Sequence, residues 1–355
     1  MKYAAVELSV SPTNRPLYHI PLPKNKHFVG RQTILHKLND FLFVKESQKV
    51  AIVGLGGVGK TQVALQVAYW AKENKPEYSV FWLPALSDGS FEQACARIVE
   101  KLDIRKTADD EDPRETVRRH LSSEVAGKWL LIVDNADEME LLFGCSDKPG
   151  GINKYLQVNE DGLILFTTRS QEVAVSVAGG DVVELPEMDP QEAKRFLEES
   201  LIGKELLHDE ALTMTLLDKL TYLPLAITQA AAYLNTTGVP MAEYLNLLRG
   251  ADQEAASLMS REFHDSTRYE GSQNAVATTW IVSFDQIRRS DGAAADLLAF
   301  MSCIEPKAIP QSMLPRCELE EEMVKVFDMH SLVYLATRIW IQREGRVATT
   351  SEAVI

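Results

Sequence analysis

Cysteine is scarce in this chain. Four residues, Cys95, Cys145, Cys303 and Cys317, are scattered over 355 positions and none forms a C-x-x-C pair. No disulfide framework is indicated, which fits a reducing, cytoplasmic setting. Long apolar runs are also missing. No stretch approaches the roughly 18 apolar residues of a membrane span, and the N-terminal MKYAAVELSVSPTNRPLYHIPLP lacks the continuous apolar core of a signal peptide. Positive charge is in deficit: 37 Lys and Arg face 51 Asp and Glu, a net charge of −14. An acidic surface disfavours nonspecific binding to nucleic acid or anionic membrane. Self-similarity at a period of about 20–50 residues is absent too, so no repeat architecture is expected. What remains is a globular chain, 45% apolar, of a length that suggests about two to three domains.

The stretch KVAIVGLGGVGKTQ, residues 49–62, organises the rest. Val50-Ala51-Ile52-Val53 reads as a buried strand. Gly54-Leu55-Gly56-Gly57-Val58-Gly59-Lys60-Thr61 satisfies G-x-x-x-x-G-K-[ST]. Val63, Ala64, Val67 and Ala68 then recur at helical spacing. Strand, glycine loop and helix together form the context a phosphate-binding loop needs. Its glycines let successive N–H groups face one anion, and the helix N-terminus adds its dipole. Lys60 is expected at the β- and γ-phosphates, with Thr61 on Mg²⁺.

Further strands are expected at Tyr78–Leu83, Trp129–Val133, Leu163–Thr168 and Val182–Leu185, alternating with helices. Near-continuous apolar strands of this kind indicate an α/β fold, a parallel sheet covered on both faces. Residues 1–26, with Pro12, Pro16, Pro21 and Pro23, read as an extended lead-in. The nucleotide-binding domain is expected over 27–188. A small helical domain follows over 189–252, its helices at Glu192–Leu201, Glu210–Leu220, Pro224–Leu234 and Met241–Leu248. Trp280–Ile287 and Ala293–Cys303 are also helical by pattern, and Phe327–Ile341 is the one convincing stretch of the tail.

Asp134 ends the strand W-L-L-I-V-D, where a carboxylate holds Mg²⁺ beside the loop. The next residue is Asn135, and an amide is no general base. Hydrolysis is therefore expected to be slow, Asp137 or Glu138 being within sequence reach of the site. On this reading Asn135→Glu restores a carboxylate and raises turnover. Arg169 follows the fourth of these strands at the same sheet edge, in reach of a γ-phosphate.

Val29-Gly30-Arg31, the phosphate loop, L-L-I-V-D-N, L-F-T-T-R, Leu223-Pro224-Leu225-Ala226 and Met329-His330-Ser331 occur in this order. The ordered set resembles NB-ARC proteins, the STAND-class signalling ATPases of plant resistance receptors, apoptosome proteins and fungal NOD-like receptors. Thr279–Phe284 and Leu332–Arg338 look most like the fungal branch. The resemblance covers about residues 17–345. It implies a P-loop domain, a helical domain and a winged-helix segment over 253–345, with a tail at 346–355. It places Val29, Gly30 and Arg31 near the adenine. Gly54, Gly56, Gly57, Val58, Gly59, Lys60, Thr61 and Gln62 would hold the phosphates, and Thr61 and Asp134 the Mg²⁺. Arg169 would sense the γ-phosphate, Pro224 would pack on the base, and His330 would bind the β-phosphate of ADP.

The chain departs from the pattern at several places. Tyr222 stands where the family has Gly before Leu-Pro-Leu. Ser331 replaces an acidic residue. Only Cys317–Asp328 separate Arg316 from Met329, with Glu318, Glu320, Glu321 and Glu322 among them. The winged-helix segment thus reads as reduced, which weakens the expected role of His330. The resemblance implies an ADP/ATP switch in defence or regulated cell death that self-associates or pairs with related NB-ARC proteins. Two alternatives stay open: a truncated regulator that pairs with full-length relatives, and an active remodelling or phosphotransfer ATPase. Removing the Lys60 charge discriminates the loop from an incidental glycine turn. Calorimetry should show Lys60→Ala losing one to two decades of ADP affinity, since charge-assisted contacts contribute on the order of 1.5–3 kcal/mol. Unchanged affinity would contradict the assignment.

Overall fold

A computed structural model describes residues 16–104, 111–145, 148–157, 159–249 and 291–301, with positions 284, 287–289, 309–310, 326–327 and 337. The expectations for Trp280–Ile287 and Phe327–Ile341 lie largely outside these residues, as do most of the winged-helix segment and the tail. The chain divides into two compact units. The first comprises Met1–Asn25, Gln32–Gly54 and Lys60–Leu185; the second comprises Lys26–Arg31, Leu55–Gly59 and Pro186–Ile355.

The first unit is built on six parallel strands. They are β1 (Tyr18–His19), β2 (Lys49–Val53), β3 (Tyr78–Pro84), β4 (Lys128–Asp134), β7 (Gly162–Thr168) and β8 (Val182–Glu184), in the order β1-β3-β4-β7-β2-β8. A two-residue antiparallel ribbon, β5 (Gly144–Cys145) with β6 (Lys148–Pro149), stands apart from the sheet. Every residue of β7 is buried, as is every residue of β4 after Lys128. That is why both sequences are unbroken apolar runs rather than alternating ones. The helices α1 (Gln32–Phe43), α2 (Lys60–Asn74), α3 (Asp88–Lys101), α4 (Pro113–Leu121), α5 (Met139–Phe143) and α6 (Gln171–Ala178) belong to the same unit. Their starts are chemically marked. Ser87 forms a capping box with Ser90, Asp112 caps α4 ahead of Pro113, and Ser170 caps α6.

The five expected strands are all present, within one residue at each end. One strand of the six-stranded sheet was not expected. From residue 16 the lead-in joins the sheet: Tyr18 and His19 pair with Val80 and Phe81 as an edge strand. Leu22 is buried, and the Tyr69 hydroxyl donates to its carbonyl at 3.0 Å. Two residues carry too little periodicity to be recognised as a strand, and the prolines around them suppress the signal further.

The second unit carries α7 (Pro190–Ser200), α8 (Glu210–Lys219), α9 (Pro224–Thr237) and α10 (Met241–Arg249), and a further helix at Gly292–Met301. Asp189 caps α7 and Asp209 caps α8. Pro224 occupies the first position of α9, where its missing N–H costs little, and Gly238 ends the helix in the left-handed conformation. Ile309–Pro310 pairs antiparallel with Val326–Phe327. The division falls after Leu185, three residues before the expected boundary, and it assigns the tip of the glycine loop to the second unit.

Packing across the centre of the sheet is tight at one point. Trp129 on β4 faces Gly162 on β7 in register. The indole is fully buried, and its Nε1 donates to Leu121 O at 2.9 Å. A Cβ on residue 162 would lie 2.2 Å from the ring. The ring cannot retreat without breaking its hydrogen bond. Gly162→Ala should therefore destabilise the first unit by about 1–3 kcal/mol, the usual cost of overpacking. Thermal denaturation checks this, and an unchanged midpoint would refute it.

Candidate functional site

In the first unit the candidate site grows from strand ends. β2 delivers the chain to Gly54, and α2 begins at Lys60. The Lys60 side chain folds back, and Nζ donates to Gly54 O at 2.8 Å. Only 7% of Lys60 is exposed. Burial lowers its pKa to about 8; Asp137 and Asp134 push it up, while Arg169 pushes it down.

Asp134 ends β4 and is completely buried. A buried carboxylate needs partners, since desolvation is costly. Thr61 Oγ1 donates to its Oδ1 at 2.9 Å, and Thr167 Oγ1 donates to the same oxygen at 2.5 Å. The Asn135 amide donates to Oδ2 at 3.3 Å. The strand order explains the geometry. β7 lies between β2 and β4, so Thr167, near its end, connects the carboxylate of one neighbour to the region served by the other. The Thr61 hydroxyl and the Asp134 carboxylate thus meet as an oxygen pair, a donor set that suits a hard cation sharing phosphate oxygens. Among the described residues no cluster of three or more His, Cys, Asp or Glu would hold a metal unaided.

Asn135 differs from the expectation set out above. Its φ is +60°, a left-handed conformation that Asn tolerates better than most residues. Its N–H donates to Thr167 Oγ1 at 2.9 Å. A glutamate there would have to adopt a strained backbone and stand against the Asp134 carboxyl group, a structural cost that sets itself against any gain in turnover from Asn135→Glu. The nearby carboxylate that engages the site is Asp137. Its Oδ1 accepts the Arg169 N–H at 2.7 Å, and its Oδ2 lies 3.3 Å from Arg169 Nε. Gln62, expected at the phosphates, accepts from Asn25 Nδ2 at 2.9 Å.

The second unit holds the loop tip and the Val29-Gly30-Arg31 turn. Gly57 has φ +83°, and its carbonyl accepts from Leu225 N at 3.1 Å. A Cβ there would stand 2.9 Å from Leu225 Cβ, so glycine is required both for the turn and for the close approach. Gly56 and Val58 are buried, and Gly59 has φ +100°. Gly30 and Arg31 are both left-handed, at φ +72° and +61°. Glu192 Oε1 accepts Arg31 N–H at 2.7 Å. The Arg31 guanidinium is buried, donating to Glu187 O at 3.1 Å and Val58 O at 3.3 Å. It braces the loop tip against the start of the helical region. Val29 is half-buried beside it. Pro224 begins α9 after the N-cap residue Leu223, and Tyr222 before it is left-handed at φ +54°. That φ accounts for the glycine of the family pattern at this position. His330 and Ser331 lie outside the described residues.

Thr167 and Glu192 were not assigned roles from sequence, and Asp137 was named only, with Glu138, as a carboxylate within sequence reach. Thr167 was inside the quoted T-T-R motif. Glu192 lies 161 positions from its partner, so no local pattern reveals it.

Residues 31–206 match the NB-ARC domain. The chain thus carries an NB-ARC domain, a P-loop NTPase module. It is 34% identical to a nucleotide-binding leucine-rich repeat (NLR)-like protein of Hyaloscypha variabilis over 93% of this chain and 36% of that one. A disease resistance protein of Arabidopsis thaliana is 25% identical over 48% of this chain and 17% of its own length. The chain therefore spans about a third or less of these relatives. Among solved structures, a Walker-type ATPase of Pyrococcus abyssi is similar at TM-score 0.49 and 14% identity, covering 81% of this chain and 82% of that one. No described helix is long and apolar enough to cross a membrane.

The lowered Lys60 pKa gives a pH signature. A phosphate held against Lys60 would stabilise the ammonium and raise this pKa. Below about pH 8 the free protein already carries the charge, and ADP affinity should be flat. Above it, binding must take up a proton, and affinity should fall by up to about tenfold per pH unit. Calorimetry in EDTA from pH 7 to 10 measures the profile. A flat line throughout would show that Lys60 is already unperturbed or does not touch the phosphates.

Proposed function

We propose that this chain is a nucleotide-operated signalling switch that binds ADP or ATP with Mg²⁺ and hydrolyses ATP slowly. The observation that carries the reading is the Thr61–Asp134 pair beside the back-folded Lys60. The complete glycine loop brings these three side chains to one sheet edge. Lys60 neutralises phosphate charge that backbone N–H groups cannot. Thr61 and Asp134 would hold Mg²⁺, which spreads charge on the phosphate oxygens when bound. Arg169 would report the γ-phosphate. Val29, Gly30 and Pro224 would shape the adenine side.

Exchange of ADP for ATP would shift the balance between closed and open arrangements, and the open one would self-associate or engage related NB-ARC proteins. A defence output is supported by the similarity to a disease resistance protein of Arabidopsis thaliana, regulated cell death is the other output the sequence motifs suggest, and a cytoplasmic setting is supported by the scarcity of cysteine. A fast remodelling enzyme is disfavoured by Asn135, an amide turned onto Asp134. A regulator that binds nucleotide without switching differs in one respect: its size does not respond to nucleotide.

Two measurements separate these readings. Steady-state phosphate release should run far below the ~1–100 s⁻¹ of kinases. Light scattering should report a larger particle with a nonhydrolysable ATP analogue than with ADP. Rapid turnover would favour the remodelling enzyme, and an unchanged particle would favour the non-switching regulator.

A further inference from the structure

Asp137 stands on a turn that the end of β7 fixes in place. Asn135 N donates to Thr167 Oγ1 at 2.9 Å, Ala136 N to Thr167 O at 2.8 Å, and Asp137 N to Asn135 O at 3.0 Å. From that turn both oxygens of its carboxylate address one residue. Oδ1 takes the Arg169 main-chain N–H, and Oδ2 faces the side-chain Nε. The pair is sheltered, with Arg169 28% and Asp137 19% exposed, so its charges are less screened than at an open surface. The same carboxylate favours the charged form of Lys60, and Arg169 opposes it. One anion thus sits among the two cations that a terminal phosphate would use.

We infer that Asp137 sets the preference of this site for a nucleoside diphosphate over a triphosphate, by holding Arg169 as a resident counter-ion. A γ-phosphate must draw the guanidinium away from Asp137 and then lie beside an uncompensated carboxylate. A diphosphate leaves the pair intact. Both effects oppose the triphosphate, and only contacts that differ between the two ligands can produce a preference. The inference rests on the proposed roles of Lys60 and Arg169.

Asp137→Asn is the informative variant. Its amide oxygen can still accept the Arg169 N–H, so the turn keeps its anchor while the charge is lost. Asp137→Ser, with a shorter acceptor, guards against a folding defect peculiar to the first. The experiment compares calorimetric Kd values for ADP and for a nonhydrolysable ATP analogue, both with Mg²⁺. The ratio of analogue Kd to ADP Kd should fall about tenfold in Asp137→Asn, the scale of one partly buried charge contact. It should fall much less when Arg169 is already alanine. An unchanged or increased ratio in variants that still bind ADP would overturn the inference alone; the carboxylate would then be neutral toward the triphosphate or assist it. Failure of the unmodified chain to bind either nucleotide would overturn the parent reading and this one together.

Discussion

A buried carboxylate must be satisfied, and much of the candidate site at the sheet edge follows from how Asp134 meets that requirement. It is completely enclosed, and hydrogen bonds come to it from Thr61, Thr167 and Asn135. Each partner arrives on a different piece of chain. Thr61 comes from the first turn of α2, Thr167 from the end of β7, and Asn135 from the turn beyond β4. An ionised group in a low-dielectric setting leaves little tolerance for the loss of any one donor. Strand order, loop position and turn conformation are thereby tied to a single charge. Cation binding fits the same logic, because the oxygens that satisfy one another are those a hard cation would share.

The second unit handles backbone geometry more than charge. Gly30, Arg31, Gly57 and Tyr222 all adopt left-handed conformations, and two of these are not glycine. Such conformations cost of order 1–3 kcal/mol each for ordinary residues and persist only where surrounding contacts enforce them. Arg31 shows the enforcement. Its amide is held by Glu192, while its guanidinium spans Glu187 O and Val58 O. A residue expected at the adenine is thus occupied in bracing the phosphate loop, and Leu225 grips the same loop through Gly57 O. The conformation of the loop tip and that of the helical unit are consequently linked by hydrogen bonds of ordinary length.

Much of this was legible in the sequence, for identifiable reasons. The apolar runs of β4 and β7 are long and unbroken, because both faces of those strands are covered. The phosphate loop is a local chemical pattern of eight residues. Asp134 was legible from its place at the end of a strand. The edge strand Tyr18–His19 was not, since two residues among prolines carry no period. Asn135 was read for its missing charge, whereas its backbone conformation explains why an amide is there. The Glu192 and Asp137 contacts depend on tertiary placement across long separations, which residue spacing does not encode. Tyr222 was visible as a departure from the family's glycine, and its strain only emerged with its φ.

The central claim is that the loop and its buried carboxylate form a working adenine nucleotide site. Its most direct test is the identity of whatever leaves the purified protein on denaturation, separated by ion-pair chromatography and weighed by mass spectrometry. The account predicts an adenine nucleotide, ADP in excess of ATP, at close to one per chain, and its loss in the Lys60→Ala protein. Recovery of no nucleotide from folded protein, followed by failure to load when ADP and Mg²⁺ are supplied, would contradict it.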